Sequence, residues 1–331
     1  MKTTFFNLNK SGYDIDYFYN HIKPTLEEYH IKSFNLGCSF PEEIDKEEYK
    51  KSFQAKLTKK LAEDFELKRD LSDITITIDF RKDLVSYDIR SIFLYGTYNK
   101  YSRDLPQTIY YCHNCYGRGC DNCKNTGRLK DTSVQEIISP YLEKLFDSQK
   151  SNFIGSGRED INVRMLGNGR EFLMELFDPI FREKTDSELK NIQEKINSNH
   201  PEIKISNLRM ATEKDIDSVK NSKHQKIYRA IIESSTPISD LNILLKEYQI
   251  KQQTPKRVSK RRANLVRERF AKITNIQKIS EFVFSIDIIA DSGLYIKEFI
   301  SGDDNRSIPS ISEILNCACT CKELDVIEII R

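Results

Sequence analysis

Four cysteines, Cys112, Cys115, Cys120 and Cys123, are crowded into TIYYCHNCYGRGCDNCKNTGRLK, residues 108–130. No regular helix or strand runs through such a stretch, so it must be an insert between other elements. The spacing is C-x2-C-x4-C-x2-C. Two tight turns then present four thiolates, the number a structural zinc site uses. Gly117 and Gly119 let the chain fold back between the pairs. The spacer is shorter than in most zinc ribbons. His113 could substitute as a ligand, but the four cysteines are the expected set. The bland alternative is a loop of free thiols, since disulfides are not expected in a reducing compartment. Cys317, Cys319 and Cys321, in NCACTC, lack the CxxC spacing and read as small apolar packing residues.

The chain has 331 residues, enough for about two domains. Its 38% hydrophobic and 31% charged content suits a soluble globular protein. No apolar run is long enough to cross a membrane. The start, MKTTFFNLNKSGYDIDYF, lacks the apolar core of a signal peptide, which predicts an intracellular, cytoplasmic protein. A net charge of only +2 hides an asymmetry. Residues 251–272, KQQTPKRVSKRRANLVRERFAK, carry nine Lys/Arg against one acid, Glu268. Such a run is either a solvated face or the footprint of a polyanion. Here the positives are not diluted by glutamates at helical i,i+4 spacing, which favours nucleic acid.

Periodicity predicts helices over 13–31 and 41–69, the second with Ile44, Phe53, Leu57, Leu61 and Phe65 on one face. Ile74, Ile76 and Ile78 alternate with polar residues as in a strand, and Ile92, Leu94 and Tyr95 suggest another. Residues 1–107 therefore read as a small α/β module. After the cysteine insert, 108–130, SVQEIISPYLEKLF is a helix with Ser133 and Glu136 in capping-box positions. In GSGREDINVRMLGNGR, residues 155–170, Ile161, Val163 and Met165 mark a strand, LGNGR a tight turn and EFLMELF the return. Further on, ISDLNILLKEYQ reads as a helix and KIYRAIIE and LDVIEII as strands. Residues 131–331 are expected to be α+β with a mixed, largely antiparallel sheet.

The same glycine-framed segment holds the candidate reactive group. Asp160 lies among Arg158, Arg164 and Arg170. Neighbouring cations keep a carboxylate ionised even when it is partly desolvated, and an ionised, oriented carboxylate can serve as nucleophile or base. A purely structural Asp–Arg pair is the competing reading. No GxSxG, Walker loop or HExxH is present, and the GNG of LGNGR is too short for a dinucleotide fingerprint.

SGREDINVRMLGNGR resembles the catalytic signature of the archaeal and eukaryotic tRNA pseudouridine synthases that act on the T-loop. Four further stretches resemble the same family in order along the chain. They are GTYNKYSRDLPQT (96–108), KIYRAI (226–231), QQTPKRVSKRRA (252–263) and GLYIKEFISGDDNRSIPSISEIL (293–315). The resemblance implies a pseudouridine synthase fold behind an accessory THUMP-like RNA-binding domain, with residues 131–331 catalytic. The first half of that accessory region matches the family least. The CxxC pairs, the compact length and the Lys-, Ile- and Asn-rich usage favour an archaeal-type enzyme.

The roles implied are residue by residue. Asp160 is the catalytic aspartate, Tyr228 stacks on the target base and helps remove a proton, Lys297 pairs with the aspartate, and Leu294 lines the uracil pocket. Arg158, Arg164, Arg257, Lys260, Arg261 and Arg262 are the candidate RNA contacts. The implied reaction isomerises uridine 54, uridine 55 or both in the T-loop of tRNA. It needs no catalytic cofactor, and zinc at the cysteines would be structural and remote from the chemistry. The partner is tRNA through its T-arm, with no membrane and a monomeric chain expected. Two alternatives are a non-catalytic tRNA-binding or folding module and, on the cysteine motif alone, a chaperone-type zinc module.

Overall fold

The computed structural model describes every residue except 1, 42–46, 69, 222, 260 and 261. Among the described residues the strands form two sheets. The smaller has five strands, in the order Lys2–Phe5, Leu84–Ile89, Ile74–Asp79, Ser33–Ser39 and Glu66–Leu67. Ile74, Ile76 and Ile78 are fully buried, as their alternation predicts. They face helices Ile15–Glu28 and Glu47–Leu61, which contribute Phe18, Ile22 and Leu26, and Phe53, Leu57 and Leu61, to the same core. Each such side chain is worth roughly 1.5–3 kcal/mol when buried. Ile44, expected on the second helix, lies outside the described residues.

The larger sheet has ten strands and carries the rest of the chain. Its central order is Val283–Ala290, Lys226–Ser234, Cys319–Ile329, Val163–Phe177, Ile92–Lys100 and Ile203–Met210. Its pairings are antiparallel except that Cys319–Ile329 runs parallel to Val163–Phe177. The architecture is thus α+β with a mixed, largely antiparallel sheet. Helix Val134–Phe146 covers one face, and Glu136 N–H donates to the Ser133 cap at 3.2 Å. Among the described residues no helix is long and apolar enough to cross a membrane.

Three local expectations change. Ile92–Lys100 does not belong with the amino-terminal sheet; it pairs along its length with Val163–Phe177 and with Ile203–Met210. The division between the two sheets therefore falls before residue 92 rather than at 107. ISDLNILLKEYQ is not one helix, but holds only a short 3-10 turn, Asn242–Leu244. Its end enters strand Glu247–Gln253, where Tyr248, Ile250 and Gln252 are buried and Glu247, Gln249 and Lys251 exposed, a period of two. LGNGR does not reverse the chain, because Val163–Phe177 is one continuous strand of 15 residues. Gly167 has φ of +62°, and a Cβ there would sit 1.9 Å from the Ile327 carbonyl oxygen. Glycine lets the strand kink against its neighbour rather than turn.

The two sheets are fastened by the segment after that strand. Arg182 Nε donates to Asp73 at 3.1 Å and its Nη1 to the Arg90 carbonyl at 2.9 Å, while Phe181 stacks on His30.

Candidate active site

Residues 156–162 join strand Lys150–Gly155 to Val163–Phe177, and buried side chains tie this loop down. Lys100, with no exposed surface, donates from Nζ to the carbonyls of Ile161 at 2.7 Å and Leu105 at 2.9 Å. Burial lowers its pKa to about 8. Arg170 donates to the Ser156 carbonyl at 2.8 Å, and its Nε lies 2.9 Å from Glu159 Oε2. Both charged groups are 2% exposed. The Tyr98 hydroxyl donates to the same carboxylate at 2.9 Å. Gln107 Nε2 donates to that hydroxyl at 2.8 Å and to the Gly157 carbonyl at 3.0 Å. Glu159 is thus locked in place, and it borders the same cleft as its neighbour Asp160.

Asp160 stands between two cations. Lys297 Nζ donates to Oδ2 at 3.0 Å and Arg257 Nη1 to Oδ1 at 3.0 Å. Lys297 also donates to Asn162 Oδ1 at 2.7 Å. Burial pushes the Asp160 carboxyl up, but Arg257 and Lys297 outweigh it and hold the group below its ordinary value. Arg257 is held in turn by the buried Glu298, which accepts from Nε at 2.5 Å. Its guanidinium lies over the Tyr295 ring, 5.8 Å from the centroid.

A cleft of about 100 Å³ opens beside the carboxylate, lined among others by Asp160, Tyr228, Leu294, Tyr295, Leu324 and Val326. That is room for a few waters or one small ring. Tyr228 and Val326 are register partners on adjacent strands, and Val326 pairs on its other side with Met165. The parallel pairing therefore carries the tyrosine to within reach of the loop before Val163. Burial pushes the Tyr228 phenol up to about 12, so it is protonated near neutral pH. The cleft continues into a groove of about 580 Å³ that includes Tyr110, Arg158, Asn162 and Arg262.

The residues singled out in the sequence fall into groups. Asp160, Tyr228, Leu294 and Lys297 all meet at the cleft. Arg158 and Arg262 are exposed along the groove, and neither has a described ion pair. Two other arginines expected to meet RNA are otherwise engaged. Arg164 makes a bidentate pair with Asp325 at 3.0 and 2.6 Å, and Arg257 holds Asp160 and Glu298. Lys260 and Arg261 lie outside the described residues. Sequence reasoning missed Arg257 as a partner of Asp160 and missed Glu298, Lys100 and Glu159 as supports. Nothing in local spacing marks a pair such as Arg257 and Asp160 that forms across the fold.

Cys112, Cys115, Cys120 and Cys123 have their sulfurs all within 4.8 Å of one another. Three of the separations are 3.8, 3.8 and 3.7 Å. A tetrahedron of sulfurs at about 2.3 Å from a zinc ion has edges of about 3.8 Å. The amides of Gly119 and Gly127 donate to Cys115 and Cys123 sulfurs at 3.2 Å each, which favours thiolates. The donor set thus fits a structural metal. His113 points instead to Tyr110, its Nε2 3.0 Å from the hydroxyl. Tyr110, two residues ahead of Cys112, lines the groove beside the cleft.

The family model described as Pus10, C-terminal matches residues 93–330. A protein of Methanocaldococcus jannaschii named tRNA pseudouridine synthase Pus10 is 40% identical, over 92% of this chain and 70% of its own. Proteins of that name from Methanococcus voltae and Archaeoglobus fulgidus are each 33% identical, over 93% and 95% of this chain and 64% and 92% of their own. The chain thus spans about two thirds of the length of some of these relatives and most of others. Among solved structures, a chain of a Cbf5–Nop10–Gar1 complex aligns loosely, with 16% identity over 59% of this chain and 45% of its own and a TM-score of 0.34.

Proposed function

We propose, because the chain belongs to the Pus10 C-terminal family, that it converts uridine to pseudouridine in tRNA with Asp160 as the catalytic group. The observation that carries this is the Asp160 carboxylate, held ionised by Lys297 and Arg257 at the mouth of a ring-sized cleft walled by Tyr228 and Leu294.

The chemistry suits that geometry. The target uridine leaves the RNA stack at a cost of a few kcal/mol. Stacking on Tyr228 recovers about 1–3 kcal/mol of it. The bond from ribose C1′ to N1 breaks, assisted by an Asp160 oxygen that attacks C1′ or removes a proton beside it. The freed ring turns over in the cleft and C5 bonds to C1′, which either breaks the C1′–O bond to Asp160 or goes with return of the C2′ proton from Asp160, so that the free carboxylate is regenerated. C5 loses its proton and N1 gains one, so no group is added or removed. Tyr228, after stacking on the base, helps remove the C5 proton, the role that the family resemblance implies for it. The substrate position is the T-loop, at uridine 54, uridine 55 or both. Residues ahead of 92 serve as the accessory THUMP-like RNA-binding unit. Arg158 and Arg262 meet the RNA backbone along the groove, with Lys260 and Arg261 in the same basic segment. Incubating the protein with unmodified tRNA transcripts and mapping pseudouridine by position tests this reading. Conversion confined to the T-loop supports it, and tight tRNA binding without conversion would place the chain among non-catalytic RNA-binding modules.

Lys297 gives a pH-dependent prediction. Asp160 works ionised, and its pKa is depressed, so activity should persist below the ordinary carboxylate range and fall as pH drops through the depressed value. Lys297→Met removes one stabilising cation and moves that acid limb to higher pH. It should also slow single-turnover conversion at neutral pH by roughly 10- to 100-fold through misplacement of the carboxylate. An acid limb that does not move would mean that Lys297 does not act on Asp160.

The cysteine knuckle is proposed to hold one structural zinc ion. Metal analysis of the purified protein should find about one zinc per chain, and a Cys120→Ser/Cys123→Ser variant should hold none. A metal-free wild-type protein with the same unfolding midpoint as the variant would remove the assignment.

A further inference from the structure

Tyr110 is an aromatic side chain in the groove that no step of the proposed reaction uses. The groove also presents the exposed cations Arg158 and Arg262 and the aliphatic Ile161 and Val258, beside Asp160 and the Arg257 and Lys297 that pair with it. A track that pairs cations with an aromatic face is the arrangement that binds single-stranded nucleic acid, with the cations on the phosphates and a base on the ring. Tyr110 is also held in place. Its hydroxyl lies 3.0 Å from His113 Nε2, and the His113 ring meets it edge-on at 5.2 Å. Its carbonyl accepts from Leu129 N–H at 2.9 Å, and Tyr111 forms an antiparallel bridge with Arg128. Cys112 N–H donates to the Gly127 carbonyl at 2.8 Å. Those bonds close the two ends of the cysteine knuckle beneath the tyrosine. A knuckle closed on four sulfurs fixes a ring that a free loop would leave mobile.

We infer that Tyr110 forms a second base-stacking subsite, which takes a nucleotide adjoining the target while the target itself enters the cleft beside Asp160. The subsite rests on the reading of the chain as a pseudouridine synthase. The knuckle then has a task in substrate binding: it holds the platform on which the neighbouring base sits. Ring and cleft share one groove, so one unstacked stretch of RNA can fill both.

Two measurements test this with the full chain and an unmodified tRNA transcript. The first uses Asp160→Asn as a binding background, so that affinity is read without turnover. Adding Tyr110→Leu should weaken binding about tenfold or more, and Tyr110→Phe, which keeps the ring, should recover most of that loss. Equal losses in both variants would assign the effect to the hydroxyl and its histidine and overturn the stacking role, as would no loss in either. The second leaves Tyr110 intact. 2-Aminopurine placed on either side of the target uridine should lose fluorescence on binding at one of the two positions. Unquenched fluorescence at both would overturn the subsite even if Tyr110→Leu did not fold. Pseudouridine formation by the unaltered protein is scored in parallel. If that fails, the underlying reading is wrong; if it succeeds while quenching is absent, only the subsite is.

Discussion

Asp160→Asn is expected to lower pseudouridine formation by about 10⁴-fold or more while tRNA affinity stays within about threefold of the original. Asparagine keeps the shape of the side chain and can still accept from Lys297 through its amide oxygen. It has no charge and no oxygen able to bond to C1′ or to take a proton. The change leaves two cations, Lys297 and Arg257, facing a neutral group. That surplus of positive charge should favour an approaching RNA backbone rather than oppose it. Loss of activity with retained binding therefore separates a chemical role from a positional one. If the variant instead lost affinity in proportion to activity, Asp160 would be part of the docking surface.

The second large effect concerns stability. Arg170→Met should destabilise the fold by roughly 3–5 kcal/mol, because it leaves Glu159 buried without its cation. Adding Glu159→Gln should restore a good part of the loss, since an amide in that place can still accept from Tyr98 and carries no charge. Urea unfolding with a constant slope measures both. A single variant that unfolds within about 1 kcal/mol of the original would contradict the burial argument. Activity should fall with Arg170→Met as well, because the Ser156 carbonyl loses a donor and the loop that aims Asp160 loosens.

Local pattern carried some of this structure and could not carry the rest. The alternation of Ile74, Ile76 and Ile78 and the cap at Ser133 were legible because each depends on neighbours a few residues away. The four cysteines were legible for the same reason. Asp160 stood out among its arginines, resemblance supplied its role and picked out Tyr228, Leu294 and Lys297, and the fold brings all four to one cleft. Gly167 misled because glycine suits a turn and a close approach equally. Only the neighbouring strand, with Ile327 oxygen at 1.9 Å from a notional Cβ, decides between them. Arg257 was placed with the RNA contacts because its charge was read along the chain. Its partners, Asp160 and Glu298, are 97 and 41 residues away, and the second of them is buried. Lys100 gave no sign at all, and Arg170 was noticed only as a neighbour of Asp160, since buried cations look like surface ones until the carbonyls they serve are known.

The most direct test of the central claim follows hydrogen at C5. A tRNA transcript carrying tritium at C5 of uridine releases the label when C5 bonds to ribose C1′ and loses its proton. The unaltered protein in excess should release label in proportion to the T-loop uridines converted, and Asp160→Asn, bound to the same transcript, should release none above background. No release by the unaltered protein, or equal release by both, would contradict the assignment of Asp160 as the group that moves the base.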